Sequence, residues 1–139
     1  MTFAEWAAFY DKKNPEDPFS PTPGYDLYFV ADKGFCEVQF RETMAIIGQT
    51  AGDGRFFRDK VEEVARKLGI KEGGTICIRK EIRAYIRLFG YRMEREEKLP
   101  DGEIRYHAWH KKTGKWLRAS PMFRYKGSGE LAYGVTWEI

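Results

Sequence analysis

Residues 49–54 read Gln-Thr-Ala-Gly-Asp-Gly, between a short apolar run and an amphipathic helical pattern. Gly52 and Gly54 permit backbone dihedrals and close approaches that a side chain blocks. The first N–H groups of a helix lack intrahelical acceptors, and the macrodipole makes that end attractive to anions. A turn of this build suits a phosphate or a pyrophosphate. Arg55 and Arg58, in the first turn of the helix, could add positive charge. The stretch lacks the Lys-Ser/Thr pair of a P-loop and the three glycines of a dinucleotide fingerprint.

Other residues with chemical potential are scattered. Glu37 and Glu42 precede the loop on predicted strands and read, taken alone, as solvent-facing carboxylates. His107 and His110 are three apart in a predicted strand, which puts them on opposite faces and suits no shared metal. Arg79, Lys80, Arg83, Arg87 and Arg92 form one basic cluster. Residues 110–118 form a second, with Lys111, Lys112, Lys115 and Arg118 beside Trp109 and Trp116. Positive charge interleaved with aromatics can bind single strands by stacking. Lysines at a hairpin tip more commonly serve solubility, and a net charge of +3 argues against strong phosphate tracking. Nucleic acid is therefore not the expected partner.

The elements that position these groups can be read from periodicity. Residues 3–12 place Phe3, Trp6, Ala7 and Tyr10 on one face of a short helix. Residues 14–24 hold four of the six prolines and read as a connector. Residues 25–32 and 35–42, separated by Lys33-Gly34, read as a hairpin, and 43–50 as a buried strand. In the helix that follows, Phe57, Val61, Val64, Ala65 and Leu68 share a face, and Gly69 suits the C-terminal cap. Residues 75–80 read as a strand and 81–91 as a helix ending near Gly90. Residues 104–110, 115–120 and 131–139 look like antiparallel strands between turns. This order predicts an α+β (α/β) domain with a mixed, mostly antiparallel sheet, a central parallel pair and flanking helices.

The chain has 139 residues, 42% apolar and 32% charged, the range of one soluble globular domain spanning residues 1–139. Cys36 and Cys77 form no CxxC pair and read as reduced, apolar residues. The N-terminal residues lack the pattern of a signal peptide, and no apolar run approaches bilayer length. The expected setting is the cytoplasm, away from membranes.

The loop also fits Q/R-x-x-G-x-G/A, and here the chain resembles the GNAT family of N-acetyltransferases. Ala65 and Gly69 stand at the family's alanine and glycine positions in the following helix. A strand, a second helix and Gly90-Tyr91, similar to the family's Gly-Phe pair, follow in order. The resemblance covers about residues 35–91. It implies acetyl-coenzyme A (acetyl-CoA) as cofactor, with the pyrophosphate on backbone N–H groups along Gln49, Thr50, Ala51, Gly52, Asp53, Gly54 and Arg55. It implies that a backbone N–H near Ile46 or Ile47 polarises the acyl carbonyl. Glu37 or Glu42 would take the proton of the attacking amine, and Tyr85 would protonate the leaving thiolate. Tyr85 stands one residue before the family's tyrosine position, which Ile86 occupies. Thr50-Ala51 replace a basic residue, and the Asp53 carboxylate would oppose the pyrophosphate unless it caps the helix. The expected activity is acetylation of a primary amine, on a small molecule or a protein. The alternative is a non-catalytic relative, such as a phage genome could carry, that acts through protein or nucleic-acid partners.

Overall fold

The computed structural model describes all 139 residues apart from the side chain of Arg79. The chain is α+β, with three α-helices and eight strands. It divides into two compact units, residues 1–71 and 72–139.

The N-terminal unit opens with α1 (Phe3–Lys13), set by a capping box in which Thr2 and Glu5 each accept the other's backbone N–H. The connector leads to β1 (Asp26–Val30), β2 (Gly34–Phe40) and β3 (Met44–Gly52). Both pairings, β1 with β2 and β2 with β3, are antiparallel, and the first is the expected hairpin. Phe35 is fully buried, ringed by Phe3, Tyr10 and Phe19 at 5.3, 5.9 and 4.8 Å between centroids. Cys36 and Val38, equally buried, turn to the other face of the strand.

Gly34 and Gly52 face each other across the ladder, with φ of +119° and +97°. A Cβ on Gly52 would lie 2.0 Å from the Lys33 carbonyl oxygen, and one on Gly34 would lie 1.9 Å from that of Ala51. Further along, Cys36 faces Thr50 and Val38 faces Ile47, so Gly48 and Gln49 together oppose Glu37. That extra residue is a β-bulge in β3.

Helix α2 (Gly54–Lys67) follows at once. It buries Phe57, Arg58, Val61 and Ala65. Two residues of the expected apolar face, Val64 and Leu68, are instead 41% and 60% exposed. Arg58 takes the place beside Val61, its stem buried and its Nε 3.6 Å from Glu62. The helix ends as its sequence predicts: Gly69 adopts φ +75°, its N–H reaches the Arg66 carbonyl, and the Ile70 N–H reaches that of Ala65.

The C-terminal unit comprises β4 (Glu72–Ile78), a 3₁₀ turn (Arg79–Glu81), α3 (Ile82–Leu88), β5 (Tyr91–Lys98), β6 (Ile104–His110), β7 (Trp116–Arg124) and β8 (Leu131–Glu138). The strand order is β4-β8-β7-β6-β5, antiparallel throughout. The last strand thus fills the gap between β4 and β7. Its Ala132, Tyr133, Val135 and Trp137 are fully buried. Gly73 faces Trp137, and a Cβ there would lie 2.3 Å from the indole, so the absent side chain makes the room. α3 contributes Ile82 and Ile86 to this core.

β5 has no counterpart among the strands read from sequence. Six of its eight residues are charged, and it pairs only with β6, at the sheet edge. Only Tyr91 is buried. A solvated edge strand has no period-two apolar signal to read. Among the described residues no helix is long and apolar enough to cross a membrane.

The Gly34–Gly52 crossing yields a prediction. Gly52→Ala adds both a strained φ and a clash with backbone, and should cost at least about 2 kcal/mol of stability in urea unfolding. Gly69→Ala strains φ alone, since no atom lies within 4 Å of its Cβ, and should cost about 1 kcal/mol.

Candidate functional site

The segment 49–55 spans the end of β3 and the start of α2, and its residues have unequal freedom. Gln49 is a strand residue. Its side-chain amide donates to the Ser20 carbonyl at 2.6 Å, to Thr22 Oγ1 at 3.2 Å and to Glu37 Oε1 at 2.8 Å. Thr50 Oγ1 donates to the Gly48 carbonyl at 3.1 Å. Ala51 is buried, and Gly52 is committed to its crossing with Lys33-Gly34.

Asp53 is the N-cap of α2. Its Oδ1 accepts the Phe56 N–H at 3.0 Å, and its own N–H donates to the Lys33 carbonyl at 2.8 Å. Oδ2 lies 3.8 Å from Lys33 Nζ. The Phe57 N–H goes to the Asp53 carbonyl. At the helix start, no acceptor among the described residues takes the N–H groups of Gly54 and Arg55. The Arg55 side chain beside them is exposed, whereas that of Arg58 is buried against Glu62.

Glu37 departs most from its sequence reading. It is 2% exposed, where a solvent-facing strand carboxylate was expected. It accepts the Thr22 N–H at 2.7 Å, the Thr22 hydroxyl at 2.9 Å and the Gln49 amide. A buried carboxylate needs such donors. Two of the three come from Thr22 in the Pro-rich connector, whose folding back no local pattern announces. The structure thus brings Glu37 and Gln49 together. Glu42 lies apart from them, exposed in the turn between β2 and β3. Ile46 and Ile47 are half-buried on β3, facing Gln39 and Val38. Tyr85 belongs to the other unit, half-buried on α3 with its ring 4.5 Å from that of Phe89, while neighbouring Ile86 is buried.

Sequence reading missed a cavity of about 310 Å³ between α1 and the end of β3. Trp6, Phe9, Tyr10 and Lys13 line it from the helix, and Thr50, Ala51 and Gly52 from the strand. The helical spacing of the three aromatics was its only signal.

In the C-terminal unit, α3, β5 and β6 enclose an open cleft of about 680 Å³. Arg83 and Arg87 line it from the first basic cluster, with Arg92; Trp109 and Lys111 line it from the second. The Arg79 side chain lies outside the described residues. The two histidines have separate partners. His107 Nε2 is 2.8 Å from Glu97, and this hydrogen bond is the main reason the Glu97 carboxyl titrates below its usual range. His110 Nδ1 accepts the N–H groups of Lys112 and Thr113.

Burial pushes the Cys36 thiol up to about 11 and the Cys77 thiol up to about 12. The reactive species is the thiolate. No family model, curated protein or solved structure matches the chain.

Both thiols should therefore resist Ellman's reagent at pH 8 in the folded protein, with two equivalents released in denaturant. A raised folded pKa also means stability that is intact below the ordinary thiol pKa near 9 and lost as pH rises toward 11 and 12. Unfolding followed between pH 8 and 11 checks the sign, and Cys36→Ser should flatten part of that loss.

Proposed function

We propose that the protein binds acetyl-CoA through its N-terminal unit, on the GNAT pattern, and transfers the acetyl group to a primary amine. One observation carries this reading. β3 ends at Gly52 and α2 begins at Gly54 with only Asp53 between, and the Gly54 and Arg55 N–H groups are left at the positive end of the helix. The resemblance assigns the pyrophosphate to this junction. The bulge at Gly48 and Gln49 lends support, because it breaks the ladder beside Ile47 and re-aims backbone groups there.

Held at this junction, acetyl-CoA would supply a thioester whose carbonyl carbon the amine nitrogen would attack, with the thiolate as leaving group. The amine's extra proton needs an acceptor. Glu37 is buried and already accepts three hydrogen bonds from Thr22 and Gln49, so it acts here as the positioning group that holds the bulge. Glu42 is the accessible carboxylate of the pair. Tyr85, which the resemblance offers as donor to the thiolate, belongs to the C-terminal unit and has no part in this N-terminal site.

The Asp53 carboxylate favours the second reading, a non-catalytic relative. It puts negative charge on the first turn of α2, where the pyrophosphate would sit. Asp53→Asn separates the two readings, because Asn caps as well as Asp and removes the charge. Backbone amide spectra recorded during an acetyl-CoA titration should show saturable shifts centred on residues 49–58. Asp53→Asn should tighten binding about fivefold at low salt, the equivalent of about 1 kcal/mol for an exposed charge pair, with stability unchanged within about 0.5 kcal/mol. If neither protein shows shifts at millimolar acetyl-CoA, the non-catalytic reading stands.

A further inference from the structure

Charge is distributed unevenly along the chain. Residues 1–71 carry ten Lys and Arg against twelve Asp and Glu, a net charge of −2. Residues 72–139 carry fourteen against nine, a net of +5. The overall +3 conceals a basic C-terminal unit.

Within that unit the carboxylates neutralise a particular set of cations. Glu96 pairs with Arg83, Glu97 with Arg95 and Arg105, Glu103 with Arg124, and Glu130 with Lys80. Arg87, Arg92, Lys98, Lys111, Lys112, Lys115, Arg118 and Lys126 have no ion-pair partner among the described residues. All but Lys98 and Lys126 belong to the cleft or to the strands and turn next to it.

The register then places aromatics among them. Arg92 faces Trp109 across β5 and β6, and Trp109 faces Trp116 across β6 and β7. The three side chains form one row on one face of the sheet, with about 5 Å between neighbouring strands. Each indole carries its own guanidinium: Arg92 lies 5.9 Å from the Trp109 centroid and Arg118 lies 5.6 Å from that of Trp116. Both indoles are half-buried, so each ring is fixed at its base and keeps a solvent-facing part. One carboxylate, Glu138, stands at the far end, where it accepts the Trp116 N–H at 3.4 Å.

Unneutralised cations alone would suit any polyanion. Two fixed aromatic platforms in a row beside them call for a ligand that repeats both a phosphate and a flat ring. A single small anion would leave the second platform and the turn lysines unused. We propose that the row Arg92, Trp109 and Trp116, with Arg87 and Lys111 in the adjoining cleft, binds single-stranded nucleic acid. Bases stack on the indoles and phosphates lie on the cations. This site lies within the C-terminal unit and does not depend on the acetyltransferase reading.

The test is fluorescence anisotropy of the full chain with a labelled 12-mer of oligothymidylate, alongside quenching of tryptophan emission. Binding should be saturable, should quench the tryptophans, and should weaken with salt at a slope of about −2 to −3 for three or four phosphates on a single strand. The double variant Arg92→Glu, Lys111→Glu lies on exposed positions and should lose at least tenfold in affinity with its melting temperature kept. Trp109→Leu should lose about tenfold and most of the quenching. Heparin bound equally well with no quenching, thymidine monophosphate bound as tightly as the oligomer, or displacement of the oligomer by acetyl-CoA would each overturn the proposal. So would the absence of binding at 50 mM salt and 100 μM protein.

Discussion

The N-terminal unit depends on one buried carboxylate. Glu37 stands on a central strand with 2% of its surface exposed, and a carboxylate so placed is costly unless hydrogen-bond donors face both of its oxygens. Thr22 supplies two donors and Gln49 a third. Those bonds pull the Pro-rich connector against the sheet, where Phe19 reaches the ring of Phe35. They also fix the side of β3 on which the bulge forms, since Gln49 is one of the two residues opposing Glu37. Thr22 and Gln49 are 27 residues apart, yet one acid group holds both. Glu37→Gln would set an amide NH₂ against one of these donors, so at least one of the bonds would be lost.

What could be read from the sequence follows from how local each cause is. The ending of α2 is local: Gly69 takes the left-handed conformation and closes the cap within four residues. The hairpin of β1 and β2 is local for the same reason. The burial of Glu37 is not local, because its donors lie 15 and 12 residues away and nothing in a strand pattern distinguishes an exposed acid from a satisfied buried one. β5 was hidden differently. Its charges mark an edge, and an edge strand is recognisable only once its partner is known. On α2, the apolar spacing placed Val64 and Leu68 inside, yet Arg58 is the residue buried there. A period count cannot see that an arginine stem beside Glu62 packs as well as an aliphatic side chain.

The candidate site was legible as a segment and illegible as an arrangement. Residues 49–54 do join a strand to a helix, as their types suggest. The two glycines, however, do not share one task. Gly52 is required by the sheet itself, because its backbone passes within van der Waals contact of Lys33-Gly34. A glycine pair that looks like a ligand cradle can therefore be half explained by the crossing of two strands. Whole-chain arithmetic likewise averages over the basic residues. A sum of +3 treats every charge as equivalent, whereas in the C-terminal unit carboxylates are matched to some cations and eight others among the described residues have no ion pair.

Asp53 shows how a cap and a ligand compete at a helix start. The hydrogen-bond demand of α2 is only partly met by its own chain: Asp53 takes the Phe56 N–H through its side chain and the Phe57 N–H through its carbonyl. Two N–H groups remain, so in donors the cap leaves room for an oxyanion. In charge it does not, since the carboxylate that stabilises the helix terminus repels a second anion drawn by the same dipole. Lys33 lies 3.8 Å away, but both groups are well exposed, and water screens much of that compensation. The side chain that sharpens the start of α2 therefore also limits how tightly this junction can hold a pyrophosphate. Selection for coenzyme affinity would act on Asp53 before it acted on either glycine.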